Sequence, residues 1–106
     1  MSSVNPDIHE ELATDIEEDL REPSMYKVLL HNDDYTTMEF VVQILMGVFH
    51  KPIQEATRIM LNVHRDGIGL CGVYSYDVAE TKVATVHATA RQSGFPLKCT
   101  MEEDEP

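Results

Sequence analysis

MYKVLLHNDDYTTMEFVVQILMGVF, residues 25–49, changes its hydrophobic period once, and the change carries the fold. Its first seven residues, Met25 to His31, combine β-branched and aromatic side chains and predict a strand. Further on, Phe40, Val41, Ile44, Leu45, Val48 and Phe49 recur at the spacing of one helical face, so a helix is expected to end near Phe49. The junction supplies its own start signal. Thr36 as N-cap with Glu39 three residues later has the form of a capping box. Asn32, Asp33 and Asp34 crowd acceptors just ahead of that start. Two roles are open for them. They satisfy the free N–H groups of the turn and the positive end of the helix, or they await a cation, because a turn needs one such residue and here there are three.

Working outward, Pro52 suits a first helical turn, and Ile53, Ala56, Met60 and Val63 share one face of a second helix, Ile53 to His64, which stops at Gly67 and Gly69. GLCGVYS, residues 69–75, reads as a short strand. Ser75 is placed to cap a third helix with Ala79, Val83, Val86 and Ala90 as a narrow apolar stripe ending at Gly94. PLKCTM, residues 96–101, supplies the last strand. The order β-α-α-β-α-β predicts an α+β domain: a small antiparallel three-stranded sheet covered on one face by three helices.

A chain of 106 residues supports one hydrophobic core, which argues against an enzyme with a separate cofactor domain. The net charge of −11 lies in the ends: residues 1–22 hold eight acids against Arg21 alone, and residues 102–105 are four acids in a row. Between them, seven acids balance seven bases. A near-neutral body without a dense basic patch is not built for nucleic acid or an anionic membrane. No segment approaches the roughly 20 apolar residues that span a bilayer, and no signal or transit peptide is apparent, so a cytoplasmic location is expected. Leu12, Ile16 and Leu20 have helical spacing, but their acidic neighbours allow a transient helix at best. Residues 1–22 are therefore expected to be a disordered extension, residues 23–101 the core, and residues 102–106 an acidic tail.

Cys71 and Cys99 lack the density of a disulfide scaffold and the CxxC spacing of a zinc or redox site, and read as buried thiols. His64 closes the second helix, where the dipole favours a partly charged imidazole. Met38, Met46 and Met60 suit packing or an adaptable pocket wall. A Cys71–His64 hydrolase would need a spatial meeting that no local motif announces. The Asn-Asp-Asp stretch lacks the ligand alternation of a calcium loop, and His31, Asp33, Asp34 and His64 lack zinc-site spacing. No metal or cofactor is expected.

PSMYKVLLHNDDYTTMEFV, ATRIMLNVHRDG, CGVYSYDVAETKV and FPLKCTME together resemble the ClpS family, adaptors that deliver N-end-rule substrates to a Clp AAA+ protease. The resemblance covers about Pro23 to Met101. It implies a non-enzymatic monomer that binds proteins beginning with Phe, Leu, Tyr or Trp. By resemblance, Asn32, Asp33 and His64 hold the free α-amino group, and the side-chain pocket falls on Thr36, Met38, Met60, Val63 and Leu97, with Asp34 at the rim. Met38 corresponds to the position that rejects β-branched first residues. DVAETKV implies docking on the N-terminal domain of the unfoldase through Asp77, Glu80 and Lys82 as exposed charges, and the acidic extension would be engaged during hand-off. An accepting His64 must be unprotonated, so affinity is expected to fall on acidification. Many family members have Pro where Thr37 stands, at the first helical position, and Thr there is expected to leave the cap less rigid. The rival from another class is an acidic scaffold acting only through its tails.

Overall fold

The computed structural model describes residues 23–105, so the expected disordered extension over residues 1–22 lies outside the described residues. The elements are β1 (Met25–His31), α1 (Met38–Gly47), α2 (Ile53–Asp66), β2 (Ile68–Ser75), α3 (Tyr76–Gln92) and β3 (Lys98–Glu103). β1 is central, with β2 and β3 antiparallel on either side. This is the expected α+β architecture in the expected order. No helix among the described residues is long and apolar enough to cross a membrane.

Alternation along β1 turns Val28 and Leu30 inward, both fully buried, while Lys27 and His31 face outward. The pairing register shifts once, between Val28 opposite Gly72 and Leu29 opposite Leu70, leaving Cys71 as the extra residue of a bulge. α3 lies against all three strands, α2 against β2, and α1 against α2. Phe40, Val41, Ile44 and Leu45 of α1 complete one core with Ile59 and Val63 of α2 and Ala79, Val86 and Ala90 of α3. Each fully buried Leu, Ile or Val contributes roughly 1.5–3 kcal/mol, and their convergence on one face of the sheet sets the helix positions.

Several boundaries differ from expectation for local reasons. The N-cap of α1 is Thr37, not Thr36: the Thr37 hydroxyl accepts from the Phe40 amide at 3.1 Å. Phe40 is then three residues past the cap, so Glu39 is out of step for a capping box. Thr37 therefore strengthens the start of α1, contrary to the expected looser cap, since a Pro there has no acceptor to offer; such a cap contributes about 0.5–2 kcal/mol. α1 ends at Gly47, before Phe49, because His50 turns left-handed at φ 56 and the Lys51 amide closes onto the Leu45 carbonyl. α2 continues to Asp66, past the expected His64, and ends at Gly67 with φ 85. β3 runs past Met101 to Glu103, so Glu102 and Glu103, expected to open the acidic tail, are strand residues. Glu102 pairs with Lys27 at 3.5 Å and Glu103 accepts from Ser24 Oγ at 2.7 Å.

Cys71 and Cys99 are 1% and 2% exposed and unbonded to one another. Burial pushes both thiols up, Cys99 to about 12, with Cys99 adding to the effect on Cys71. Neither forms a thiolate near neutral pH. In a thiol titration with an aromatic disulfide at pH 8, both should stay silent in the native protein and react only in guanidinium. Rapid native reaction of either would contradict this burial.

Candidate functional site

The loop between β1 and α1 is pinned at both ends. The Asn32 amide donates to the Gly67 carbonyl at 2.9 Å, which ties the loop to the last turn of α2. That turn carries Val63 and His64, and Met60 lies one turn earlier on the same face. The other end is held by Asp33. Its Oδ1 accepts from the Tyr35 and Thr36 amides at 2.8 and 2.7 Å, and its Oδ2 accepts from Thr36 Oγ1 at 2.6 Å. Part of the acceptor crowding thus has the local role expected of Asx residues. Asn32, Asp34 and His64, by contrast, have no side-chain hydrogen-bond partner among the described residues.

Between loop, α1 and α2 lies a cavity of about 290 Å³ lined by Asn32, Asp33, Asp34, Thr36, Met38, Val41, Met60, Val63 and His64. The structure therefore brings together eight of the nine residues expected at the amino-group and side-chain sites. Leu97 is the exception: it is 3% exposed and belongs to the core. The alternation that turns Lys98 outward turns Leu97 and Cys99 inward. Val41 lines the cavity although its spacing marks it only as core; it is 6% exposed and serves both.

Two carboxylates and no Lys or Arg line this cavity. Burial works against the charge on Asp33, but the Thr36 hydroxyl and the Thr36 and Tyr35 amides outweigh it and hold the carboxyl below its usual range. Because folding lowers that pKa, Asp33 contributes stability that is complete above the unfolded carboxylate's range and is lost as pH falls through the depressed value. Near neutral pH the cavity thus presents fixed negative charge beside thioether and aliphatic carbon. Among the described residues no group of three or more His, Cys, Asp or Glu side chains is placed to hold a metal ion.

On α3, Asp77 and Glu80 are exposed, and Glu80 accepts from the Tyr76 hydroxyl at 3.3 Å. Lys82 departs from the expected exposed charge. Its Nζ donates to the Val48 carbonyl at 2.7 Å and lies 5.6 Å and 5.2 Å from the Phe49 and Tyr74 ring centroids. It caps the end of α1 over two aromatic faces.

Fold and cavity define a small α+β binding domain whose recess suits a group that is cationic at one point and apolar beside it. The chain belongs to the ClpS family: residues 21–100 match the family model described as ATP-dependent Clp protease adaptor protein ClpS. It is 58% identical over 102 residues to the ATP-dependent Clp protease adapter protein ClpS of Syntrophus aciditrophicus (strain SB), covering 96% of this chain and 95% of that one. It is 66% identical over 88 residues to the corresponding protein of Nitratidesulfovibrio vulgaris (strain DP4), covering 83% and 85%. Among solved structures it is similar to Agrobacterium tumefaciens ClpS2 bound to L-phenylalaninamide, with a TM-score of 0.76 and 40% identity over 78% of this chain and all of that one.

Proposed function

We propose that this adaptor captures proteins by a bulky apolar N-terminal residue and delivers them to a Clp AAA+ unfoldase for degradation. The observation that carries the reading is the anionic, thioether-walled cavity of side-chain size, in a family with a member solved on phenylalaninamide. That ligand pairs a free amine with a benzyl side chain, the two features the cavity wall answers. Asn32 Oδ1, the Asp33 carboxylate and a neutral His64 nitrogen accept from the α-ammonium, which has three donors and needs acceptors already in place. Met38, Val41, Met60 and Val63 receive the side chain, with Thr36 and Asp34 at the wall. Burying a Phe or Leu there contributes roughly 1.5–3 kcal/mol.

Asp77 and Glu80 on the open face of α3 face the N-terminal domain of the unfoldase, as the resemblance implies, whereas Lys82 supports that face from beneath. The cavity lining contains no thiol, and Cys71 is sealed in the core, which favours an adaptor over a cysteine hydrolase.

Fluorescence anisotropy with labelled peptides beginning Phe, Leu, Ile and Ala tests the reading. Phe and Leu should bind and Ala should not, with Ile much weaker than Leu; equal binding of all four would overturn it. The Asp33→Asn variant separates charge from turn. Its side-chain oxygen still accepts the Tyr35 and Thr36 amides, but the charge and the Oδ2 acceptor of the Thr36 hydroxyl are lost, so thermal stability should fall modestly, by about 1 kcal/mol, while Phe-peptide affinity should drop about tenfold, a loss of one charged acceptor. Unchanged affinity would confine Asp33 to the turn.

A further inference from the structure

A second recess adjoins the first, and the two share Met38 and Met60 as a common wall. On the far side of these thioethers, Met38, Glu39, Val42, Ile53, Thr57 and Met60 line a groove of about 350 Å³ between α1 and the start of α2. Ile53 is 55% exposed and Met38 is 40% exposed. Large apolar side chains left facing water within a groove mark a contact surface, and this one is continuous with the cavity through two adaptable methionines.

We propose that the groove receives the side chain of the third residue of the captured polypeptide and favours an aliphatic one there. The inference rests on the N-terminal residue filling the first cavity. In an extended segment successive side chains point to opposite sides, so residue 2 is directed away when residue 1 is buried, and residue 3 returns to the surface about 7 Å further along. Two recesses that share Met38 and Met60 adjoin closely enough for side chains on one side of a single extended segment to enter both. Residue 2 then goes unread, while the groove adds a second apolar contact for residue 3.

The test compares Phe-Ala-Ala, Phe-Ala-Leu and Phe-Leu-Ala peptides with a common tail, by anisotropy, on the wild type and on Ile53→Ser. Leu at the third position should bind about five- to tenfold tighter than Ala there, the yield of burying part of one side chain. Leu at the second position should stay within about twofold of Ala. Ile53→Ser should erase the third-position gain and leave Phe-Ala-Ala affinity intact. Equal affinity for Ala and Leu at position three, a gain at position two instead, or a gain that survives Ile53→Ser would each overturn the assignment. So would an unchanged ranking accompanied by weaker capture of Ile53→Ser by the unfoldase, which would give the groove to that partner. Wild-type protein binding N-acetyl-Phe-Ala-Ala as well as Phe-Ala-Ala would instead defeat the underlying reading of the first cavity.

Discussion

Acetylating the α-amino group of a Phe-initiated peptide should weaken its binding by about a hundredfold or more. Acetylation removes the positive charge and two of the three donors, and it adds a carbonyl oxygen beside Asp33 and Asp34. The lining offers that oxygen no lysine or arginine, and the Thr36 hydroxyl already donates to Asp33. Meanwhile Asn32 and His64, without side-chain partners among the described residues, lose the donor they would have faced. The hydrophobic contribution is unchanged, so the loss isolates the polar test from the apolar one. An acetylated peptide binding within a few-fold of the free amine would reduce Asn32, Asp33 and Asp34 to a well-made turn.

Gly69→Ala should cost about 1–3 kcal/mol of stability and also weaken Phe-peptide binding several-fold. A Cβ at Gly69 would stand 2.6 Å from Val63 Cγ2 and 3.2 Å from the Ile59 carbonyl oxygen. The Val63 methyl has little room, being 2% exposed, and a helix backbone oxygen does not rotate aside. β2 and α2 must therefore separate, and Val63 and His64 move with α2 out of register with the β1–α1 loop. The same substitution at Gly47, with nothing within 4 Å, is the control and should be neutral or slightly stabilising. Urea midpoints paired with peptide affinities decide it. Gly69→Ala with wild-type midpoint and affinity would mean that α2 is not held where the close packing puts it.

Much of this fold was legible because local and global preferences agree. β1 follows the expected Met25–His31 span, since its strand-forming side chains also make the central strand. The second helix is readable from its stripe, of which Ala56 and Val63 enter the core while Ile53 stays exposed. What escaped was chosen by tertiary contact. Thr36 and Thr37 are equally good caps on paper; the Asp33 carboxylate claims the first hydroxyl and leaves the second to the helix. Lys82 reads as a surface charge until a carbonyl 34 residues away in sequence comes within reach. Glu102 and Glu103 look like tail because an acidic run carries no mark of the Lys27 and Ser24 that meet it. Val41 and Leu97 show the converse difficulty in the candidate site: both are apolar and inward, and only the packing decides which one reaches the cavity.

The central position of β1 also bears on how the chain reaches this state. The first strand of the described chain is paired on both edges, and its partners on β3 are 67 to 77 residues distant, from His31 opposite Lys98 to Tyr26 opposite Glu103. A nascent chain emerging from the ribosome holds β1 with one edge open until residues 98–103 appear. High sequence separation of this kind slows folding, because loop closure precedes the reward. The last strand made is thus the one that completes the sheet, and a message truncated before Lys98 would yield a chain with an open β1 edge, an early target for the quality-control proteases of the cell.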